Sequence, residues 1–187
     1  MANQVYRPDI KYIQGMSYLM TMLLLFFSPY KAFKYFCNLV LTKRYLYKTY
    51  LFKKKYLNKI NFVLEHIVSK YYSRLYGFLK SVKMEIWNIF WVEWVYAMFL
   101  RTFDLRTSVR LWDFILLKGE IFIFKLNYVV FGLLDENFGK MSKDNFFEEA
   151  KRLIFRSYDE ILARVATDIN HEFEFFYIQN LMKTEKI

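Results

Sequence analysis

Apolar residues recur along this chain at helical spacing, and the interruptions between them carry the chemistry of helix ends. From Met16 to Phe27 the run is broken only by Ser17 and Thr21, and Ser28-Pro29 stops it. Serine followed by proline is an N-cap with proline at the first helical position, which predicts a second helix through about Leu41. Leu46, Tyr50, Leu57, Ile60, Leu64 and Ile67 then follow a helical period with lysines largely between them, predicting a long amphipathic helix. A shorter segment covers about Leu75 to Val82, and Ile86 to Leu100 is dense in Trp, Ile, Val and Phe, as a central helix would be. Asp104 is placed to cap a helix from about Leu105 to Leu117, Gly119 to end it, and a further helix runs from about Glu120 to Leu134. A capping-box-like Ser142-x-x-Asn145 precedes Phe146, and two last helices are expected over roughly Lys143 to Phe155 and Tyr158 to Met182. No internal repeat and no Pro/Gly-rich linker divides the chain. The expected fold is all-α, one domain of helices packed on helices.

Composition narrows this further. The 187 residues are 56% hydrophobic, enough for a substantial core, and include five Gly and two Pro, which disfavours sandwiches and barrels built from many tight turns. The Met16–Phe27 run falls short of the roughly 20 residues that cross a bilayer, and no small-residue cleavage site follows it, so a buried core helix is expected there. One cysteine, Cys37, allows no internal disulfide, and the expected location is the cytoplasm.

The net charge of +10 would suggest nucleic acid until it is mapped. No Asp or Glu occurs between Ile10 and Leu64, where Lys11, Lys31, Lys34, Lys43, Arg44, Lys48, Lys53, Lys54, Lys55 and Lys59 stand, and the rest of the chain is balanced. The excess is thus one regional patch, suited to an acidic protein surface or to peripheral contact with an anionic membrane, and no nucleic-acid partner is expected. A solvated helix face is the plain alternative.

Conventional catalytic chemistry finds no support in the pattern. The glycines are scattered singly, so no phosphate-binding loop is expected. His66, His171 and Cys37 lie apart, and His171 with Glu172 and Glu174 reads as ordinary amphipathic composition, so neither a metal nor any other cofactor is expected. One polar residue stands out instead. In "KYIQGMSYLMTMLLLFF" Gln14 sits at the mouth of an apolar run, where an amide buried without partners would cost roughly 1–3 kcal/mol. It is either a cap for the helix that begins there or a group aimed at a partner.

Tyr12-Ile13-Gln14-Gly15-Met16 resembles the YxQGM motif of the TBC domain, the family of Rab GTPase-activating proteins. Downstream, "WVYAMFLRTFDLRTSVRLWDFILLKG" is similar to a second recurring segment of that family, carried here by Trp94, Phe99, Arg110, Trp112, Asp113 and Gly119. The resemblance covers about Asp9 to Leu134, with the remaining helices fitting less specifically, so that residues 1–187 look like the C-terminal two-thirds of a TBC domain lacking its N-terminal helices.

The resemblance implies a partner, a GTP-bound small GTPase of the Rab type, and a role in membrane trafficking. It implies that Gln14 is a glutamine finger, that Tyr12 and Gly15 belong to the partner-binding motif, with Gly15 letting the backbone approach closely, and that Tyr12 and Met16 anchor the motif in the core. Lys53, Lys54 and Lys55 are the patch residues expected to meet a partner, whether an anionic membrane or a larger protein assembly. Arg110, Trp112 and Asp113 are expected to be architecture, with an Arg110–Asp113 pair one helical turn apart. Three positions depart tolerably from the family pattern: Lys11 replaces a glycine, Asp104 a proline and Lys118 an acidic residue. The larger departure is that the arginine motif IxxDxxR, which precedes YxQGM in the family, occurs nowhere in the chain, and Arg7 lies too close to Gln14 to stand in for it. The resemblance therefore implies a regulator that stimulates a partner's hydrolysis with its arginine missing from this chain. Its alternative is a catalytically silent TBC-fold subunit of a larger assembly.

Overall fold

The computed structural model describes residues 12–42, 50–51, 54–83, 94 and 97–167, together with Pro8. Eight α-helices and no strand occur among the described residues, in agreement with the expected all-α class. They are α1 (Gln14–Phe26), α2 (Pro29–Thr42), α3 (Lys54–Tyr71), α4 (Ser73–Ser81), α5 (Leu105–Lys118), α6 (Glu120–Asn137), α7 (Phe146–Arg156) and α8 (Tyr158–Thr167), with a short 3₁₀ turn (Phe138–Lys140) after α6.

Local chemistry sets most of the boundaries. Pro29 opens α2 as its missing N–H and fixed φ allow. Asp104 caps α5, its carboxylate accepting from the Thr107 backbone N–H at 2.9 Å and from the Thr107 hydroxyl at 2.9 Å. Those hydrogen bonds hold the Asp104 carboxyl below the usual carboxylate range. Gly119, at φ 74°, ends α5 in a conformation that other residues adopt at a cost, and α6 starts at the next residue. Before α7 the expected box takes another form: Lys143–Asn145 make a turn, Asn145 is the N-cap without a side-chain bond, and the Ser142 N–H donates to Glu149 at 3.2 Å.

The centre of the molecule is α6. It packs against α3, α4, α5, α7 and α8, and Leu126, Val130, Phe131 and Leu134 on it are fully buried. Ile86–Leu100 was the segment expected to play this part. Most of that segment lies outside the described residues; of the rest, Trp94 sits in a π-helical turn and residues 98–102 form turns. At the end of α6, Asp135 reaches across to α4 and accepts from the Leu75 N–H at 2.8 Å, so the α4 N-terminus is capped from sixty residues away. Gly132 lets the start of α4 approach, since a Cβ there would stand 3.1 Å from the Tyr72 hydroxyl. Glu65 of α3 ties in α4, accepting from Tyr76 and Lys80 at 3.0 Å each.

The helix α1 packs chiefly on α2. Met16, Leu19 and Met22 are buried, but the expectation of a core helix holds only on that face: Leu24, Leu25, Phe26 and Phe27 at its C-terminal end are exposed. A helix that touches one main neighbour can cover only the stripe facing it. Among the described residues, no helix is long and apolar enough to cross a membrane. The expected helix start around Leu46 and the C-terminal helix beyond Thr167 lie outside the described residues.

Candidate functional site

The YxQGM-like segment forms the beginning of α1. Ile13 is the N-cap in extended conformation with no side-chain capping bond, and the Met16 N–H donates to the Ile13 carbonyl at 2.9 Å. Gln14 is thus the first helical residue and does not occupy the capping position; its side chain lies outside the described set. Gly15 and Met16 are buried. Tyr12, expected beside Met16 in the core, is instead 60% exposed, because it precedes the N-cap and shares no face with the helix.

Along α1 the exposed or half-exposed positions Ser17, Tyr18, Thr21, Leu24 and Leu25 follow intervals of three and four residues, which is one helical stripe. Gln14 occupies the first register position of that stripe, and the buried residues Met16, Leu19 and Met22 lie on the other side.

The second segment lies beside it. Trp94 stacks on Phe99 with centroids 5.5 Å apart, and the Trp112 indole N–H donates to the Met98 carbonyl at 3.3 Å. These contacts hold a turn in which Met98 and Phe99 take positive φ, 47° and 63°, conformations that cost non-glycine residues about 1–3 kcal/mol each. Trp112 is therefore packing, as expected. Arg110 and Asp113 are both exposed and do not pair with each other, so the expected pair is absent. The turn also carries Arg101, whose guanidinium lies 5.7 Å from the centre of the Tyr18 ring on α1. Sequence reasoning passed over Arg101, which had no motif to announce it.

Further along, Leu25 and Phe26 of α1 face Leu105, Arg106, Val109 and Arg110 of α5 across a groove of about 610 Å³. Both Leu25 and Phe26 are more than half exposed, at 53% and 58%. Of the lysine triplet, Lys53 lies outside the described residues, while Lys54 and Lys55 are exposed in the first turn of α3, which holds no acidic residue. Cations there face the positive end of the helix dipole, an unfavourable placement of about 0.3–1 kcal/mol that helix stability does not explain. The two segments implied by the resemblance are thus neighbours through Arg101 and the groove.

Other chemistry is sparse among the described residues. No group of three His, Cys, Asp or Glu is placed to hold a metal ion. Cys37 is buried, and burial pushes its thiol pKa up, away from the reactive thiolate. His66 stacks on Phe62 at 6.3 Å; His171 and its neighbouring glutamates lie outside the described residues.

Comparison with known proteins agrees with the two segments. The model of the Rab-GTPase-TBC domain family matches residues 1–138, most of the chain, and the chain belongs to that family. Drainin of Dictyostelium discoideum is 26% identical over 184 residues, covering 85% of this chain and 40% of Drainin. The GTPase-activating protein MSB4 of Saccharomyces cerevisiae is 24% identical over 208 residues, covering 100% of this chain and 40% of MSB4. TBC1 domain family member 12 of Mus musculus is 27% identical over 131 residues, covering 70% of this chain and 18% of that protein. The chain spans less than half the length of each of these relatives.

Proposed function

We propose that this chain acts as a GTPase-activating module for a GTP-bound small GTPase of the Rab type, with Gln14 as its glutamine finger. The observation that carries the reading is the place of Gln14: first residue of α1, inside a YxQGM-like segment, at the head of the solvent-facing stripe of that helix. Hydrolysis of GTP needs a water aligned for in-line attack and positive charge on the phosphoryl oxygens. An amide serves the first need, since its oxygen accepts from the water while its nitrogen donates to phosphate. It brings no charge to serve the second. The arginine is supplied from outside these 187 residues, on a segment of the IxxDxxR type or on another protein. Tyr12, exposed next to Gln14, borders the partner, and Gly15 keeps the first turn of the helix slim.

The test is single-turnover GTP hydrolysis by a panel of Rab GTPases, with the chain joined to an IxxDxxR-bearing helix. Gln14→Ala is expected to lower stimulation by orders of magnitude with the thermal midpoint unchanged; an unchanged rate removes Gln14 from the mechanism.

A second reading, a catalytically silent TBC-fold subunit of a larger assembly, draws on the apolar surface at Leu25, Phe26 and Leu105. Monomers seldom expose contiguous apolar patches without a binding role. The lysines at the head of α3 suit an anionic membrane or an acidic assembly surface under either reading.

A further inference from the structure

Three arginines line one side of the exposed stripe of α1. Arg101 stands over Tyr18, and Arg106 and Arg110 line the groove opposite Leu25 and Phe26. Tyr18 is four residues past Gln14, one turn along the same face and about 6 Å up the helix. Leu25, near the end of α1 on the same face, is about 16 Å from Gln14. The arginines therefore accompany the stripe from one turn past the glutamine to the far end of the helix.

Their settings differ. Arg106 and Arg110 are exposed one turn apart on α5, and neither joins an ion pair among the described residues. Asp104, the nearest acid in sequence to Arg106, is occupied at the helix cap by the Thr107 N–H and hydroxyl. Asp113, one turn past Arg110, faces solvent. Arg101 is set on a turn whose left-handed residues are held by Trp94 and Trp112, so its root is fixed while its head lies on an aromatic face. The exposed guanidinium groups of Arg106 and Arg110 are suited to bidentate recognition of carboxylates, and the pre-set root of Arg101 lowers the entropy lost when it borders a partner. Between the arginines lie apolar anchors, Leu25, Phe26, Leu105 and Val109. An apolar centre with charged sides is how protein interfaces are commonly built.

We infer that Arg101, Arg106 and Arg110, with the groove between α1 and α5, form the docking surface for the GTPase that Gln14 serves, reading carboxylates that flank an apolar contact on it. The inference rests on the proposed GTPase-activating function. It commits to the GTPase as occupant because the surface is continuous, through Arg101 and Tyr18, with the face of α1 that Gln14 heads. Docking residues act on affinity, the glutamine on turnover, and the two separate experimentally.

The experiment measures the dissociation constant of Rab GTPases loaded with a non-hydrolysable GTP analogue against the full chain, at low and at elevated salt, alongside vesicles containing phosphatidylserine. At least one GTPase is expected to bind, more weakly as salt rises. Arg101→Ala, Arg106→Ala and Arg110→Ala are each expected to weaken binding roughly tenfold, Arg106→Glu with Arg110→Glu more than a hundredfold, and Gln14→Ala less than threefold. Lysine at each position restores part of the affinity, which a general loss of fold would not allow, and circular dichroism of each variant controls for folding. Leu25→Ala is expected to weaken binding roughly tenfold as well, and should it disturb the helix, Leu105→Ala probes the opposite wall of the same groove with the same expected loss. Binding unchanged by the arginine substitutions overturns the docking surface and leaves the glutamine reading standing. Arginine-dependent binding alongside turnover that ignores Gln14 supports the surface and sinks the finger. Absence of any bound GTPase, or arginine-dependent binding to vesicles alone, overturns the surface outright.

Discussion

The helices α1 and α6 are both apolar along most of their length, yet they serve opposite ends of the protein's work. Among the described residues, five helices surround α6, and its large side chains are shut in. Among the described elements one main neighbour, α2, covers α1, leaving a stripe from Ser17 to Leu25 in contact with solvent. Apolar composition alone therefore does not say how many neighbours a helix has. A helix buried all round fixes the fold, whereas an apolar helix with one open side has area left to bury against something else. In this chain the open side begins at the register position of the candidate catalytic glutamine and continues to an apolar groove flanked by arginines.

Breaking the closed helix should show the largest loss. Phe131→Ala in α6 is expected to lower stability by about 3–5 kcal/mol, read from denaturant unfolding, since the cavity would open at the centre of the core. The two sides of α1 sharpen the contrast. Leu19→Ala on the closed side should cost about 2–5 kcal/mol, while Leu25→Ala on the open side should stay within about 0.5 kcal/mol. Equal losses at Leu19 and Leu25 would mean that the stripe is covered, and that the comparison with α6 fails.

Smaller effects test what holds the arginine-bearing elements in place. Asp104→Ala removes the α5 cap and should cost about 1 kcal/mol. Because the folded-state pKa of Asp104 is depressed, its contribution is fully present above the unfolded carboxylate range and is lost as the pH falls through the lowered folded value. The stability difference between the unsubstituted chain and the Asp104→Ala variant should accordingly shrink in acid. Replacing Lys53, Lys54 and Lys55 by Gln should stabilise the fold slightly, by about 0.3–1 kcal/mol, and weaken association with anionic vesicles or acidic partners in a salt-dependent way. Salt-insensitive association would return those lysines to a solvated face.

The helix ends were the most legible part of the fold. Pro29, Asp104 and Gly119 act through their own covalent and hydrogen-bonding chemistry, so their neighbours in sequence suffice to read them. The part played by Glu120–Asn137 was not legible: it and Ile86–Leu100, most of which lies outside the described residues, are both rich in apolar residues, and periodicity does not rank such segments by their neighbours. Nor was the turn at Met98 and Phe99, where positive φ arises without glycine because tertiary contacts from Trp94 and Trp112 impose it. The cap on α4 comes from Asp135, far beyond any local window. Around the candidate site the motif located Gln14, but the core position expected for Tyr12 failed because the residue lies ahead of the N-cap. Arg101 joins α1 only through the fold, and no spacing rule connects it with Tyr18.

The central claim is a division of labour, with the glutamine on this chain and the charge supplied from outside it. Single-turnover hydrolysis against a Rab panel, comparing the chain alone with the chain joined to an IxxDxxR-bearing helix, tests it most directly. An arginine finger is worth about 10³–10⁵ in rate, so the account predicts negligible stimulation by the chain alone and recovery of that order in the joined form, abolished again by Gln14→Ala. Robust stimulation by the chain alone would contradict it, and would mean that an arginine already present among the 187 residues reaches the nucleotide.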